Sequence, residues 1–203
     1  MKPEELDLLR KYFPENAVEG VAALFNDRKF VLQFKSPRLT KLGDFRPPRN
    51  KNGLCHITLN CDLHPYQMLI TFVHEVAHFD VYQQYKNSVL PHGEEWKTTY
   101  AKLLLPFINE AVFPNELIGT LHRHLTHIKA SSSADTELLK ALRRYETTPS
   151  AITTVENLPD GARFRLKNGL VFEKGAKQRT RYKCFCLTDG RWYAVSALAE
   201  VES

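Results

Sequence analysis

Residues 65–85 read PYQMLITFVHEVAHFDVYQQY, and this stretch decides both the fold and the chemistry. Pro65 suits the first turn of a helix, where its missing N–H removes no hydrogen bond. From there to about Tyr85, Met68, Leu69, Phe72, Val73 and Ala77 give the chain helical character. Inside it stands His74-Glu75-Val76-Ala77-His78, an H-E-x-x-H string. Four residues slightly exceed one helical turn, so both imidazoles project from nearly the same face. Two nitrogens so placed can sit about 2.0–2.1 Å from one tetrahedral zinc ion. Glu75 follows the first histidine directly, which suits it to the open coordination position rather than to the metal. There it can take a proton from water and later deliver it to a leaving amine.

A five-residue motif occurs by chance, so its surroundings decide. The bland alternative is a solvent-facing helix that carries two histidines and a glutamate. Phe72, Val73, Val76, Ala77 and Phe79 speak against it, because they surround the motif with apolar neighbours. Two imidazoles and a carboxylate on a buried face are costly unless something satisfies them, and a zinc ion does so.

A catalytic zinc site needs a third protein ligand and an open fourth position. His92, in Pro91-His92-Gly93-Glu94-Glu95-Trp96, is the best candidate. Gly93 is expected to let the chain turn sharply there, and Trp96 to anchor the next helix in the core. His64, just before Pro65, is a weaker candidate, and Glu94 or Glu95 could ligate instead. His122, His124 and His127 are expected on the surface of a later helix.

Outward from the motif, Leu6, Leu9 and Phe13 space a short amphipathic helix over 4–13, ended by Pro14. A second helical segment is expected over 17–25. Phe30, Val31, Leu32 and Phe34 read as a strand. Leu39, Leu42 and Phe45 could supply a second, and His56 to Asn60 a third. Further helices are expected over 95–105, 115–128 and 135–145, the last two separated by Ser131, Ser132 and Ser133.

Residues 146–159 have linker composition. Beyond them Lys167-Asn168-Gly169 and Asp189-Gly190 are hairpin signals between apolar runs. The expected organisation is α+β. A helix-rich domain over residues 1–148 is followed by a small β module over 149–203, with the boundary near residue 150.

The N-terminus holds no apolar run of signal-peptide length, and no stretch approaches the roughly 18 to 20 apolar residues of a membrane span. Four cysteines in 203 residues do not form the dense framework of a secreted mini-protein. A reduced, cytoplasmic protein without a membrane partner is the expectation.

The motif helix, the strand before it (His56 to Asn60), and His92-Gly93 followed, after two intervening residues, by Trp96 together resemble the SprT-like metalloproteases, the family that includes Spartan. The resemblance covers roughly residues 15–110. It implies a compact zincin-like domain with a small antiparallel sheet beside the metal helix. It also implies zinc ligands at His74, His78 and His92, and a catalytic acid/base at Glu75. The family's better-known members cleave proteins, notably those bound or crosslinked to DNA, and many carry a zinc ribbon after the protease domain. Here the chain departs from the family, because a ribbon needs two pairs of thiolates and the module has only Cys184 and Cys186. The module is expected to be a metal-free, degenerate ribbon with its cysteines buried in a strand.

The formal net charge is +5, a mild excess that favours polyanionic partners where it clusters. Arg163, Arg165, Lys167, Lys174, Lys177, Arg179, Arg181 and Lys183 crowd the module, near Tyr182, Phe185, Trp192 and Tyr193. A second basic run comprises Arg38, Lys41, Arg46, Arg49 and Lys51. These residues suit either a phosphate-tracking, base-stacking surface or the soluble face of a small sheet. A zinc endopeptidase acting on proteins, DNA-associated ones among them, is the leading function. Its alternative is a nucleic-acid-binding or scaffold protein with a structural or vestigial metal site. The motif also specifies water activation rather than the scissile bond, which leaves a non-peptide metallohydrolase as a third option.

Overall fold

The structure is a computed structural model and describes residues 2–38, 41–50, 52–128, 135–145 and 153–202. The chain divides into two compact units, residues 1–146 and 147–203. The joint expected near residue 150, Leu39 of the second strand, Lys51 and the serines at 131–133 lie outside the described residues.

The first unit runs α1 (Pro3–Tyr12), α2 (Val18–Ala23), β1 (Phe30–Lys35), β2 (Gly43–Arg46), β3 (Cys55–Asn60), α3 (Pro65–Tyr85), α4 (Glu94–Leu104), α5 (Asn115–Thr126) and α6 (Thr136–Arg143). Helix α3 is its centre. Met68, Leu69, Ile70, Phe72, Val73, Val76 and Ala77 are fully buried on it, so apolar residues surround its axis as they must in an interior helix. It packs on β2 and β3 on one side and on α4 on another. Pro65 sits in its first turn, and His64 caps it by accepting a hydrogen bond from the Tyr66 N–H. At the other end Lys86 adopts φ 54° and its N–H returns to the Tyr82 carbonyl, which stops the helix.

The sheet corrects one expectation. Its order is β1-β3-β2, with β2 antiparallel to β3 (Phe45 opposite Ile57) but β1 parallel to it (Phe30 opposite Cys55). The sheet is therefore mixed rather than antiparallel. Residues 36–54 join β1 to β3, long enough for the crossover that parallel pairing requires, and β2 is laid down on the far side of β3 within that crossing. Central β3 is buried along almost its whole length, while β1 and β2 form the partly exposed edges.

The second unit is built from β4 (Arg163–Leu166), β5 (Val171–Glu173), β6 (Lys177–Gln178), β7 (Arg181–Cys186), β8 (Trp192–Ser196) and β9 (Val201–Glu202). All its strand pairs are antiparallel, in the order β6-β7-β5-β4-β9 with β8 also on β7. Gly169 and Gly190 adopt φ 81° and 73°, the left-handed backbone that the two hairpin signals require. Strands β6 and β9, of two residues each, had no expectation behind them, since so short a run carries no periodicity. Along β7, Tyr182, Cys184 and Cys186 point into a core with Val155, Phe164, Phe172 and Val195, and Arg181 and Lys183 point out. Among the described residues no helix is long and apolar enough to cross a membrane.

Candidate metal centre

The rigidity of α3 presents His74 and His78 side by side, with ring centroids 4.9 Å apart. The third imidazole arrives from the loop between α3 and α4. His92 itself takes φ 60°, whereas Gly93 has an ordinary φ of −68°. The sharp turn expected at Gly93 is thus made one residue earlier. A left-handed backbone at a non-glycine residue is held only where its surroundings insist, and such residues gather at functional sites. Gly93 contributes space instead, since a β-carbon there would stand 3.0 Å from the Leu90 carbonyl oxygen.

The three Nε2 atoms converge. His74 to His78 is 3.2 Å, His78 to His92 is 2.9 Å and His92 to His74 is 3.3 Å. For a tetrahedral ion at the imidazole distance of about 2.0–2.1 Å, neighbouring nitrogens lie about 3.3–3.4 Å apart. The observed triangle matches that size to within a few tenths of an ångström. Burial, and then the neighbouring imidazoles, hold His74 at about 2 and His78 at about 4, and burial lowers His92 as well. Neutral rings with nitrogens at such range leave lone pairs facing one another, an arrangement that a cation satisfies. Among the described residues this is the one group of three or more potential ligands with donor atoms within 4.8 Å of one another. His74, His78 and His92 could therefore hold a metal ion, and the donor set fits it.

Trp96, 1% exposed at the start of α4, forms the wall behind the cluster. Its ring centroid lies 4.5 Å from His74, 5.2 Å from His78 and 4.6 Å from His92. Phe45 of β2 lies parallel to His78 at 6.4 Å.

Glu75 is buried against the edge strand β2. Burial, and then the nearby Asp44 carboxylate, push it up to about 8, opposed by a backbone hydrogen bond from Phe45 and by the charges of Arg38 and Lys41. A buried carboxyl so raised exchanges its proton near neutral pH rather than well below it. Gly43 is a functional neighbour that the sequence reading missed. Any side chain there would meet the Glu75 carboxylate, and only a glycine sited two residues before a strand-forming Phe45 marked it.

The other candidates separate from the cluster. His64 is the cap of α3, with its ring beside Tyr66 and Tyr145. Glu94 pairs with Lys97. His124 corrects the expectation of a surface residue: it is 2% exposed and bonded to Tyr100 and Asp135. The Tyr100 hydroxyl is engaged by that histidine, so it does not face the three imidazoles.

The basic residues divide as well. In the first unit Arg38 donates to Asn60 and Thr58, and Lys41 and Arg46 flank Asp44, which leaves Arg49 as the remaining described member of that run. In the second, Lys174 is buried, donating to the Leu158 carbonyl at 2.5 Å with its ammonium over the Tyr182 ring, so it and Tyr182 leave the expected surface. Strand register puts Arg163 and Arg165 of β4, Glu173 of β5, Arg181, Lys183 and Phe185 of β7, and Trp192 of β8 on one face, where Arg163 pairs with Glu173. Lys183 lies 4.8 Å over the Trp192 ring, which is 59% exposed. Lys167 pairs with Glu200, and Lys177 and Arg179 lie at the β6–β7 hairpin.

No family model, no curated protein and no solved structure matches this chain.

Proposed function

We propose that the chain is a zinc metallopeptidase of the SprT-like kind, acting on protein substrates, with Glu75 as its general acid/base. The observation that carries the reading is the triangle of Nε2 atoms with sides of 2.9 to 3.3 Å, two of them from the helix that also carries the buried carboxylate of Glu75. His74, His78 and His92 would hold the ion, which when bound supplies Lewis acidity and makes water acidic enough to attack at neutral pH.

The chain's own groups do the rest. Glu75 takes the proton released as water attacks the scissile carbonyl, and returns it to the departing amine. Its burial keeps bulk water from competing for that proton. Among the described residues only β3 pairs with β2, and the other edge of β2, where the Phe45 N–H holds Glu75, is where an extended peptide would be laid. The basic face bearing Arg163, Arg165, Arg181, Lys183 and Trp192 supports DNA-associated proteins as substrates, by tracking phosphates and stacking on bases.

A structural site in a nucleic-acid-binding protein is the competing reading, and the basic face favours it too. Such a site has no use for a buried carboxylate beside its first ligand. The deciding experiment is cleavage of a casein-like protein and of a DNA-bound protein by zinc-loaded enzyme, with and without single-stranded DNA. Glu75→Gln should keep the metal and slow hydrolysis by a factor of about 10² to 10⁴. Equal cleavage by the variant would remove Glu75 from its role. A zinc-loaded parent that cleaves neither substrate would favour the binding-protein reading.

A further inference from the structure

Behind the wall formed by Trp96 lies a polar chain that the proposed mechanism does not use. Tyr100 of α4, His124 of α5 and Asp135 at the start of α6 are 1%, 2% and 9% exposed. Asp135 Oδ2 lies 2.9 Å from His124 Nδ1, and His124 Nε2 lies 3.2 Å from the Tyr100 hydroxyl. In the tautomer whose Nδ1–H donates to the carboxylate, Nε2 is the acceptor that faces the tyrosine O–H. Asp135 is itself fixed, because its Oδ1 caps α6 by accepting from the Leu138 N–H.

Filling the space beside Trp96 needs only an aromatic ring, and phenylalanine would do it. A buried hydroxyl, imidazole and carboxylate are costly unless each is satisfied, and what they add is direction. The Tyr100 ring is stacked on Trp96 at 5.0 Å and 9° and stands 5.8 Å from the His74 ring. Trp96 in turn touches all three converging imidazoles. A line of contact therefore runs from the cap of α6 to the metal ligands, each ring held by the one behind it.

We infer that His124 and Asp135 are positioning residues for the metal centre: through Tyr100 and Trp96 they hold His74, His78 and His92 in the converged geometry. The inference rests on the reading of those three histidines as metal ligands. Outer groups that orient ligands typically change metal affinity by about 10- to 100-fold when removed.

The test is titration of the metal-free full chain with Co²⁺, reading the dissociation constant and the visible absorption bands that report coordination geometry. His124→Leu and Asp135→Ala should raise the dissociation constant by about tenfold or more and alter the bands, with far-ultraviolet circular dichroism unchanged. Asp135→Asn keeps one acceptor oxygen for the Leu138 N–H but sets an amide N–H₂ donor against His124 Nδ1, so it preserves the cap of α6 while breaking the carboxylate–imidazole bond, and should shift both readouts in the same direction as His124→Leu. Tyr100→Phe keeps the ring and removes only the hydroxyl, and decides the matter by the same two readouts if His124→Leu does not fold. A role confined to docking α5 and α6 would lower the melting temperature and leave cobalt affinity and spectrum alone. Folded variants matching a cobalt-binding parent would overturn this inference and leave the metal reading standing. A parent that takes up no cobalt would overturn both.

Discussion

Gly43 and Glu75 approach so closely that a β-carbon on residue 43 would stand 2.6 Å from the glutamate Oε1. It would also stand 2.8 Å from Thr71 Cγ2 and 2.9 Å from Glu75 Cγ. The edge strand and the motif helix are thus in contact at the carboxylate itself. The backbone hydrogen bond from Phe45 holds the same group from the same strand. Glu75 is fixed by β2 as much as by its own helix.

Gly43→Val should therefore displace the carboxylate without touching the imidazoles. Steady-state cleavage should fall by about a hundredfold, the cost of misplacing a reacting group by around an ångström. Zinc affinity, measured by competition with a chromophoric chelator, should stay within about threefold of the parent. Retention of full activity would show that Glu75 acts from some other position.

His92→Ala and His64→Ala separate the two candidates for the third ligand. Only His92 has its Nε2 within 3.3 Å of both motif histidines, while His64 caps α3. Loss of a direct ligand should weaken zinc binding by more than the roughly 10- to 100-fold of an outer-shell change. His64→Ala should leave affinity unchanged and lower the melting temperature slightly through loss of the cap. The opposite pattern would reassign the ligand.

Metal should also stabilise the first unit, because it binds the folded triangle and not the unfolded chain. At free zinc one hundred times its dissociation constant, the gain is about 2.7 kcal/mol. That corresponds to a melting temperature higher by roughly 5–15 °C, reversed by a chelator. The His74→Ala/His78→Ala/His92→Ala triple variant should show no such response in differential scanning fluorimetry. An equal response there would place the ion elsewhere.

The cysteines give an independent check on the strand packing. Cys61 is exposed, whereas Cys55, Cys184 and Cys186 are buried, and burial pushes the Cys55 and Cys184 thiols up. A maleimide added to native protein should label Cys61 rapidly, and the other three only after denaturation. Rapid labelling of Cys184 or Cys186, seen by peptide mass mapping, would contradict the core of the second unit.

How much was legible beforehand follows from the range of each interaction. Helix α3 and its two histidines came from local periodicity, and the hairpins of the second unit came from turn chemistry at Gly169 and Gly190. His92 was found by residue type and a nearby aromatic. The backbone feature that aims it, its own positive φ, lies in three-dimensional context and was credited to Gly93 instead. The parallel pairing of β1 with β3 depends on where the chain travels between residues 36 and 54, which no window of neighbours encodes. His124 looked like a surface residue because its polarity fits one. Only its distant partners Tyr100 and Asp135 make its burial tolerable. Lys174 was misplaced for the same reason, its charge being absorbed by carbonyls of the segment before β4.

The most direct test of the proposed metal centre is anomalous X-ray scattering at the zinc absorption edge from crystals grown with zinc. The account predicts one strong peak about 2.0–2.1 Å from the Nε2 atoms of His74, His78 and His92 together, with the Glu75 carboxylate beside it but outside bonding distance. A peak on any other set of side chains, or none at these three nitrogens, would contradict it.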